Sequence, residues 1–138
     1  MTNEPTTKNA SAAVDNSAEM IVTFSRDLFF GMRVRTIVGK LGYGLTLTKD
    51  EASTVEALTE SAPVLALVDF NQPVDWAALE PLIMSDVPVI GFGSHTDVDG
   101  FRAAKAAGVD RVVSNGDFSR NLPELIAKYK SPSPTMTI

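Results

Sequence analysis

Two kinds of stretch alternate along the chain. In the first kind the apolar residues are consecutive or occupy every second position, and in the second kind they recur at helical spacing. Five stretches are of the first kind, and their β-branched content predicts strands. They are "MIVTFS" (20–25), "YGLTLT" (43–48), "PVLALVDF" (63–70), "VPVIGF" (87–92) and "RVVSN" (111–115). Strands separated by helical segments in this way are typical of an α/β protein.

Five helical segments follow the strands. In the first, one helical face consists of Phe30, Val34, Ile37, Val38 and Leu41. Gly42 is placed to end that helix as a C-cap glycine. Val55, Leu58 and Ala62 predict a short second helix. The remaining helices are predicted in "DWAALEPLIM" (75–84), "DVDGFRAAKAAGV" (97–109) and "SRNLPELIAKYK" (119–130).

This order of elements predicts an α/β fold with a parallel sheet between two layers of helices. The third and fourth strands are nearly continuous in apolar residues, as expected when helices cover both faces of a sheet. Right-handed crossovers leave few topologies, and the natural one is the flavodoxin-like, doubly wound, five-stranded sheet in the order 2-1-3-4-5. We therefore expect a three-layer α/β/α domain.

That domain is expected to span residues 20–130. Residues 1–19 carry Val14 as their only large apolar side chain after Met1, so this segment is predicted to be a flexible leader. Residues 131–138, "SPSPTMTI", are predicted to form a flexible tail.

Composition narrows the classes of function. The 138 residues carry a net charge of −5, which disfavours binding to nucleic acid or to an anionic membrane surface. The chain has no cysteine, which excludes disulfides, thiolate metal sites and cysteine nucleophiles, and His95 is the only histidine. No apolar run approaches the roughly 20 residues that a membrane span needs, and no signal peptide is recognisable. We expect a cytoplasmic protein.

Candidate chemistry lies where the strands end. In doubly wound sheets, reacting groups collect at the carboxyl ends of the strands. Asp69 ends the apolar run of the third strand and is the most distinctive of these residues. The other candidates follow the first, fourth and fifth strands, and they are Ser25, Arg26, Asp27, Gly93, Ser94 and Asn115.

The order of elements, Asp69 and Pro73 together resemble the receiver domain of response regulators, the CheY-like family. The segment "PVIGFGSHTDVDGFRAAKAAGVDRVV" (88–113) is similar to the family's stretch from the fourth to the fifth strand. The resemblance implies that Asp69 is equivalent to the phosphoacceptor. It also implies an acidic pair that binds Mg²⁺ after the first strand, a Ser or Thr after the fourth, and a Lys after the fifth.

The sequence departs from that pattern at every position except the acceptor. The acidic pair falls on Ser25 and Arg26, the hydroxyl position on Gly93 with Ser94 next to it, and the lysine position on Asn115. Ser25 is expected to be an ordinary N-cap, and Asp27 is expected in the first helical turn. Two roles stay open for Asp69: pairing with Arg26, and capping the loop after the third strand.

We therefore expect a degenerate pseudo-receiver: a stand-alone, non-enzymatic, unphosphorylated protein-interaction module of bacterial-type signal transduction. No metal and no cofactor are expected. The partners would be proteins, such as a signalling kinase, an output protein or a second copy of the chain. Two alternatives stay open, a phospho-accepting response regulator that uses Asp69 and a small flavodoxin-like enzyme or nucleotide-binding protein.

Two surfaces are candidates for the partner contact. On the first helix, Leu28 and Met32 lie opposite the face that is predicted to be buried. On the fourth helix, Arg102 and Lys105 belong to the surface that, by the resemblance, receivers generally use for dimer and partner contacts. In both cases an ordinary solvated surface is the competing interpretation.

Overall fold

The computed structural model describes residues 18–131. Ten elements alternate along this range. In chain order they are β1 (Met20–Phe24), α1 (Leu28–Lys40), β2 (Gly44–Thr48), α2 (Glu51–Glu60), β3 (Leu65–Asp69), α3 (Glu80–Ile83), β4 (Val89–Gly93), α4 (Val98–Ala107), β5 (Arg111–Ser114) and α5 (Asn115–Tyr129). The predicted leader and tail lie outside the described residues, except for their innermost positions.

The five strands form one parallel sheet in the order β2-β1-β3-β4-β5, which confirms the predicted topology. In β1 and β3, Ile21 aligns with Leu65 and Phe24 with Val68. In β3 and β4, Asp69 aligns with Phe92. All five residues of β3 and of β4 are buried, in accord with their continuous apolar sequences.

Helices cover both faces of the sheet. On one face, Val34 and Val38 of α1 and Phe118 and Leu122 of α5 pack against the strands. Ala57 of α2 and the segment around α3 pack against the other face. On the first face, the Phe92 ring stacks against the rings of Phe30 and Phe118, with centroid distances of 4.7 and 4.1 Å, and those two rings lie 5.6 Å from each other. This cluster of three rings fixes the first turns of α1 and α5 against the end of β4.

Several predicted boundaries need correction. Helix α1 ends at Lys40, so Leu41 is the C-cap and is 44% exposed instead of buried on the helical face. Gly42 has φ of 91°, in agreement with its predicted role in ending the helix. Helix α2 ends at Glu60, before Ala62, and α5 already begins at Asn115, which the sequence placed in the fifth strand.

Helix α3 is much shorter than predicted. Residues 75–79 form successive turns, in which the backbone N–H groups of Ala78 and Leu79 bond three residues back, to Asp75 and Trp76. Pro81 has no N–H to donate to the carbonyl of Ala77, so a regular helix cannot run through this stretch. Only Glu80–Ile83 is helical.

Among residues 18–131, the structure has no helix that is both long enough and apolar enough to cross a membrane.

Candidate functional site

The carboxylate of Asp69 lies at the carboxyl end of β3, and the residue is 4% exposed. Its Oδ1 accepts hydrogen bonds from the backbone N and from Nδ2 of Asn71, at 2.9 and 2.8 Å. Its Oδ2 accepts a hydrogen bond from Oγ of Ser25 at 2.7 Å. A buried carboxylate needs such partners, and here both oxygens have them. The bond from Asn71 N confirms that Asp69 caps the loop after β3.

Ser25 connects the β1–α1 loop to this carboxylate. The residue is buried, its hydroxyl donates to Asp69, and the same oxygen accepts from the backbone N of Asp27 at 3.1 Å. The prediction that Ser25 caps α1 is wrong. The N-cap is Asp27, whose Oδ1 accepts from Phe30 N at 3.1 Å. A hydroxyl that donates and accepts at once suits Ser25 to its bridging position.

Asn115 takes part in an amide pair with Asn71. Nδ2 of each side chain donates to Oδ1 of the other, at 3.0 and 2.9 Å. Asn71 also holds Asp69, so one chain of hydrogen bonds runs from Ser25 through Asp69 and Asn71 to Asn115 at the start of α5. This polar chain joins the ends of β1, β3 and β5.

Arg26 does not pair with Asp69 within the described range. Its Nη2 lies 3.5 Å from Oε1 of Glu51 in α2, and its Nη1 donates to the carbonyl of Pro73 at 3.1 Å. The guanidinium carbon lies 5.1 Å from the centre of the Phe24 ring. These contacts direct the cation away from the acceptor and toward α2, so the predicted ion pair is replaced by one with Glu51.

The fourth strand offers no hydroxyl at the site. Gly93 is buried under the ring of Phe70, and a Cβ at this position would overlap that ring. Phe70 also meets Phe101 edge-on, with centroids 5.3 Å apart. Ser94 bonds Thr96 within the loop, with 2.9 Å between the two hydroxyl oxygens. Phe70 therefore fills the space in which a side chain from position 93 would stand.

These groups surround an open cleft of about 670 Å³ at the end of the sheet. The cleft combines two guanidinium groups, two carboxylates, amides, a hydroxyl and an aromatic ring. Its lining consists of Arg26, Asp27, Phe30, Arg33, Asp69, Asn71, Gln72, Asn115, Gly116 and Ser119. Of the residues proposed from the sequence, the structure brings Arg26, Asp27, Asp69 and Asn115 to this cleft. Ser25 lies behind Asp69, while Gly93 and Ser94 are not among the lining residues.

Sequence reasoning did not identify the partners that complete this arrangement. Asn71 could have been suspected as an Asx-type turn residue two positions after Asp69. Gln72 accepts from Arg26 N at 2.8 Å across 46 residues, and no local pattern signals such a contact. The same is true of Phe70, whose contact with Gly93 depends on the pairing of β3 and β4.

The exposed surfaces agree with the sequence pattern, with one addition. Leu28 and Met32 are 58% and 56% exposed, and Phe29 between them is 84% exposed. Arg102 and Lys105 are exposed on α4. Phe29 was missed because it lies about 100° around the helix from Leu28, outside the narrow stripe considered.

Comparisons with known proteins place this geometry in context. Neither the family models nor the curated proteins give a match. Among solved structures, 182 chains match. The chemotaxis response regulator CheY4 of Vibrio cholerae is 13% identical with a TM-score of 0.68, over 82% of this chain and 99% of that one. The BeF3-activated N-terminal receiver domain of RstA from Klebsiella pneumoniae is 15% identical with a TM-score of 0.70, over 80% and 97%.

The receiver domain of a sensor histidine kinase from Pseudomonas aeruginosa is also similar, at 18% identity and a TM-score of 0.69, over 82% of this chain and 98% of that one. Three receivers from different kinds of protein thus superimpose on nearly the whole described range. The chain has the receiver-domain fold. In the Pseudomonas receiver, a magnesium ion is coordinated in the active-site cleft.

The corresponding cleft of this receiver fold offers a poor donor set for Mg²⁺. That ion requires several hard oxygen ligands at short distance in octahedral array. Here both oxygens of Asp69 are bonded to Ser25 and Asn71, and Asp27 uses one carboxylate oxygen to cap α1. Within residues 18–131, no group of three or more His, Asp or Glu side chains is arranged to hold a metal ion.

Proposed function

We propose that this protein is an atypical receiver, a pseudo-receiver, which acts as a protein-interaction module in bacterial-type two-component signalling without phosphorylation of Asp69. The observation that carries the proposal is that both oxygens of Asp69 are engaged within the protein: together they accept three hydrogen bonds from Ser25 and Asn71. The receiver fold supports the signalling context.

The chemistry of phosphoryl transfer supports the same proposal. Transfer to a carboxylate gathers negative charge on the transferred group, and cations must stabilise that charge. The acidic pair that would hold Mg²⁺ falls on Ser25 and Arg26, and the lysine position carries the neutral Asn115. Arg26 is engaged by Glu51 and Pro73. Among the residues that line the cleft, this leaves Arg33, at its edge, as the cation that could contact an incoming phosphate.

In this role the protein acts in the cytoplasm and catalyses no reaction of its own, so its effect depends on binding. The partners we propose are proteins of the same signalling system, a kinase or an output protein, and self-association is a further outcome to measure. The exposed side chains of α1 and of α4 are the candidate contact surfaces.

The test is exposure to Mg²⁺ and a small phosphodonor. Incubation with acetyl phosphate and millimolar MgCl₂ should leave the intact mass of the protein unchanged, and calorimetric titration with MgCl₂ should show no saturable binding. Asp69→Asn serves as the matched control, because it removes the acceptor and changes few atoms. A labile mass increase of one phosphoryl group in the wild type, absent from Asp69→Asn, would establish a phospho-accepting regulator instead.

A further inference from the structure

The outer face of α1 combines three exposed apolar side chains with cations. Leu28, Phe29 and Met32 are 58%, 84% and 56% exposed, and together they are named the α1 stripe. At about 100° per residue, the stripe covers roughly 100° of the helix circumference. Large apolar side chains grouped in this way mark interaction surfaces more often than isolated ones do.

Cations border the stripe on both sides. By helical position, Arg35 lies next to Leu28 on one side, and Arg33 and Lys40 lie beyond Phe29 on the other. All three cations are exposed, and none forms an ion pair with another described residue. Helix α1 contains no Asp or Glu, whereas the chain as a whole has a net charge of −5. This helix is therefore a basic, apolar strip on an acidic protein.

The farther end of the same face allows a close approach. Gly39 lies about one helical turn beyond the middle of α1 and is exposed, and a Cβ at this position would meet no atom within 4 Å. A second helix laid along α1 would thus meet large apolar side chains at one end and the uncovered backbone of Gly39 at the other. That shape suits an elongated partner rather than a small molecule.

We infer that the α1 stripe binds an amphipathic helix of another protein, whose apolar face is bordered by Asp and Glu side chains. This inference rests on the proposed interaction role and names the chemistry of the partner. The apolar contact supplies burial, and the carboxylates of the partner pair with Arg33, Arg35 and Lys40.

Charge distinguishes this partner from the other two occupants. In a symmetric contact between two α1 helices, each helix would bring Arg33, Arg35 and Lys40 and no Asp or Glu, so the like charges of the two copies would repel. An anionic membrane would attract α1 but repel the rest of a chain with net charge −5. An amphipathic helix with acidic borders would bury the apolar side chains of the α1 stripe and pair with its bordering cations at the same time.

The test uses two synthetic, fluorescently labelled peptides of about 20 residues, long enough to become helical. Both carry a leucine face, and it is bordered by Glu in one peptide and by Lys in the other. Fluorescence anisotropy should show that the wild-type protein binds the Glu-bordered peptide at least about tenfold more tightly than the Lys-bordered one. Phe29→Ser with Met32→Ser should weaken this binding at least about tenfold, and Arg33→Glu with Arg35→Glu should reverse the preference.

Matched controls isolate the surface. Arg111→Glu with Lys128→Glu makes the same change of charge at exposed positions of β5 and α5, outside both candidate surfaces, and should leave peptide binding unchanged. Circular dichroism checks that each variant is folded, and Phe29→Gln alone replaces the double variant if that one unfolds. Detection of phosphorylated Asp69 would overturn the proposed function without altering the peptide result, so the two failures are distinguishable.

Several results would overturn the inference. Equal binding of the two peptides would show that the charges bordering the α1 stripe do not select the partner. The absence of saturable binding of the Glu-bordered peptide would show that the α1 stripe does not bind an acidic amphipathic helix. Light scattering that shows a dimer abolished by Phe29→Ser with Met32→Ser would assign the stripe to a second copy of the chain. Sedimentation with phosphatidylglycerol vesicles that depends on the same residues would assign it to a membrane surface.

Discussion

Asp69 has a structural task in this protein that does not require phosphorylation. Its carboxylate receives hydrogen bonds from the β1–α1 loop through Ser25 and from its own loop through Asn71. Asn71 passes the connection to Asn115 at the start of α5. Neutral donors thus hold three strand ends together, and the hydrogen bonds that Asp69 accepts give this aspartate a structural role.

The ability of the cleft to hold a metal can be tested by adding carboxylates to it. Ser25→Asp with Arg26→Asp should create saturable Mg²⁺ binding, because it adds two carboxylates in the vicinity of Asp69. Without metal the double variant should be less stable than the wild type, since a second carboxylate replaces the hydroxyl that bonds Asp69. Mg²⁺ at about 100 times its Kd should add about 2.7 kcal/mol to the free energy of unfolding.

Thermal melting with and without MgCl₂ measures this effect. Arg26→Ala is the control for loss of the ion pair with Glu51, and it should melt at the same temperature with and without the metal. A double variant that stays folded but melts at the same temperature with and without Mg²⁺ would show that the cleft does not have the geometry of a metal-binding receiver.

At the level of secondary structure, the elements could be predicted where a periodic pattern and a local terminator agree. The strands follow from apolar runs, and the end of α1 from Gly42 with its positive φ. Helix α3 was overestimated because Trp76, Leu79, Leu82 and Ile83 have helical spacing, although Pro81 and the turns before it interrupt the helix. The Asn71–Asn115 pair had no sequence signal, because it joins residues 44 apart through sheet topology.

Helix α1 gives a test of whether Asp27 acts through its capping hydrogen bond or through its negative charge. Its carboxylate accepts from Phe30 N at 3.1 Å, as the N-cap of the helix. Asp27→Ala should therefore lower the free energy of unfolding by about 1 kcal/mol, while Asp27→Asn, which also caps well, should stay close to the wild type. Urea denaturation measures both values. Equal losses for the two variants would mean that the negative charge matters and not the capping hydrogen bond.

On the scale of the whole molecule, contacts distant in sequence close the end of the domain opposite the cleft. Nζ of Lys130 lies 2.7 Å from Oε1 of Glu19, an ion pair across 111 residues, and is also 5.5 Å from the centre of the Tyr43 ring. The backbone N of Ser131 donates to the carbonyl of Val64, and Gly44 N donates to the carbonyl of Glu19. The residues just before β1 and just after α5 are thus fastened beside each other, while the cleft lies at the far end of the strands.

The ion pair predicts a contribution to stability that depends on pH. The hydrogen bond with Glu19 raises the pKa of Lys130 above its usual value of 10.5. A raised pKa in the folded state stabilises the protein fully below about pH 10.5, and this stabilisation is lost as the pH rises through the folded value. Lys130→Met should therefore lower the free energy of unfolding by up to about 1 kcal/mol at pH 7, as for a partly exposed pair. Denaturation series for the wild type and the variant should converge as the pH rises through the folded-state pKa of Lys130. Lys128→Met removes a cation that is not paired with a described acid, and it should change the stability little at neutral or alkaline pH. A difference for Lys130→Met that persists unchanged at the alkaline end would assign its effect to packing against Tyr43 instead of to the charge.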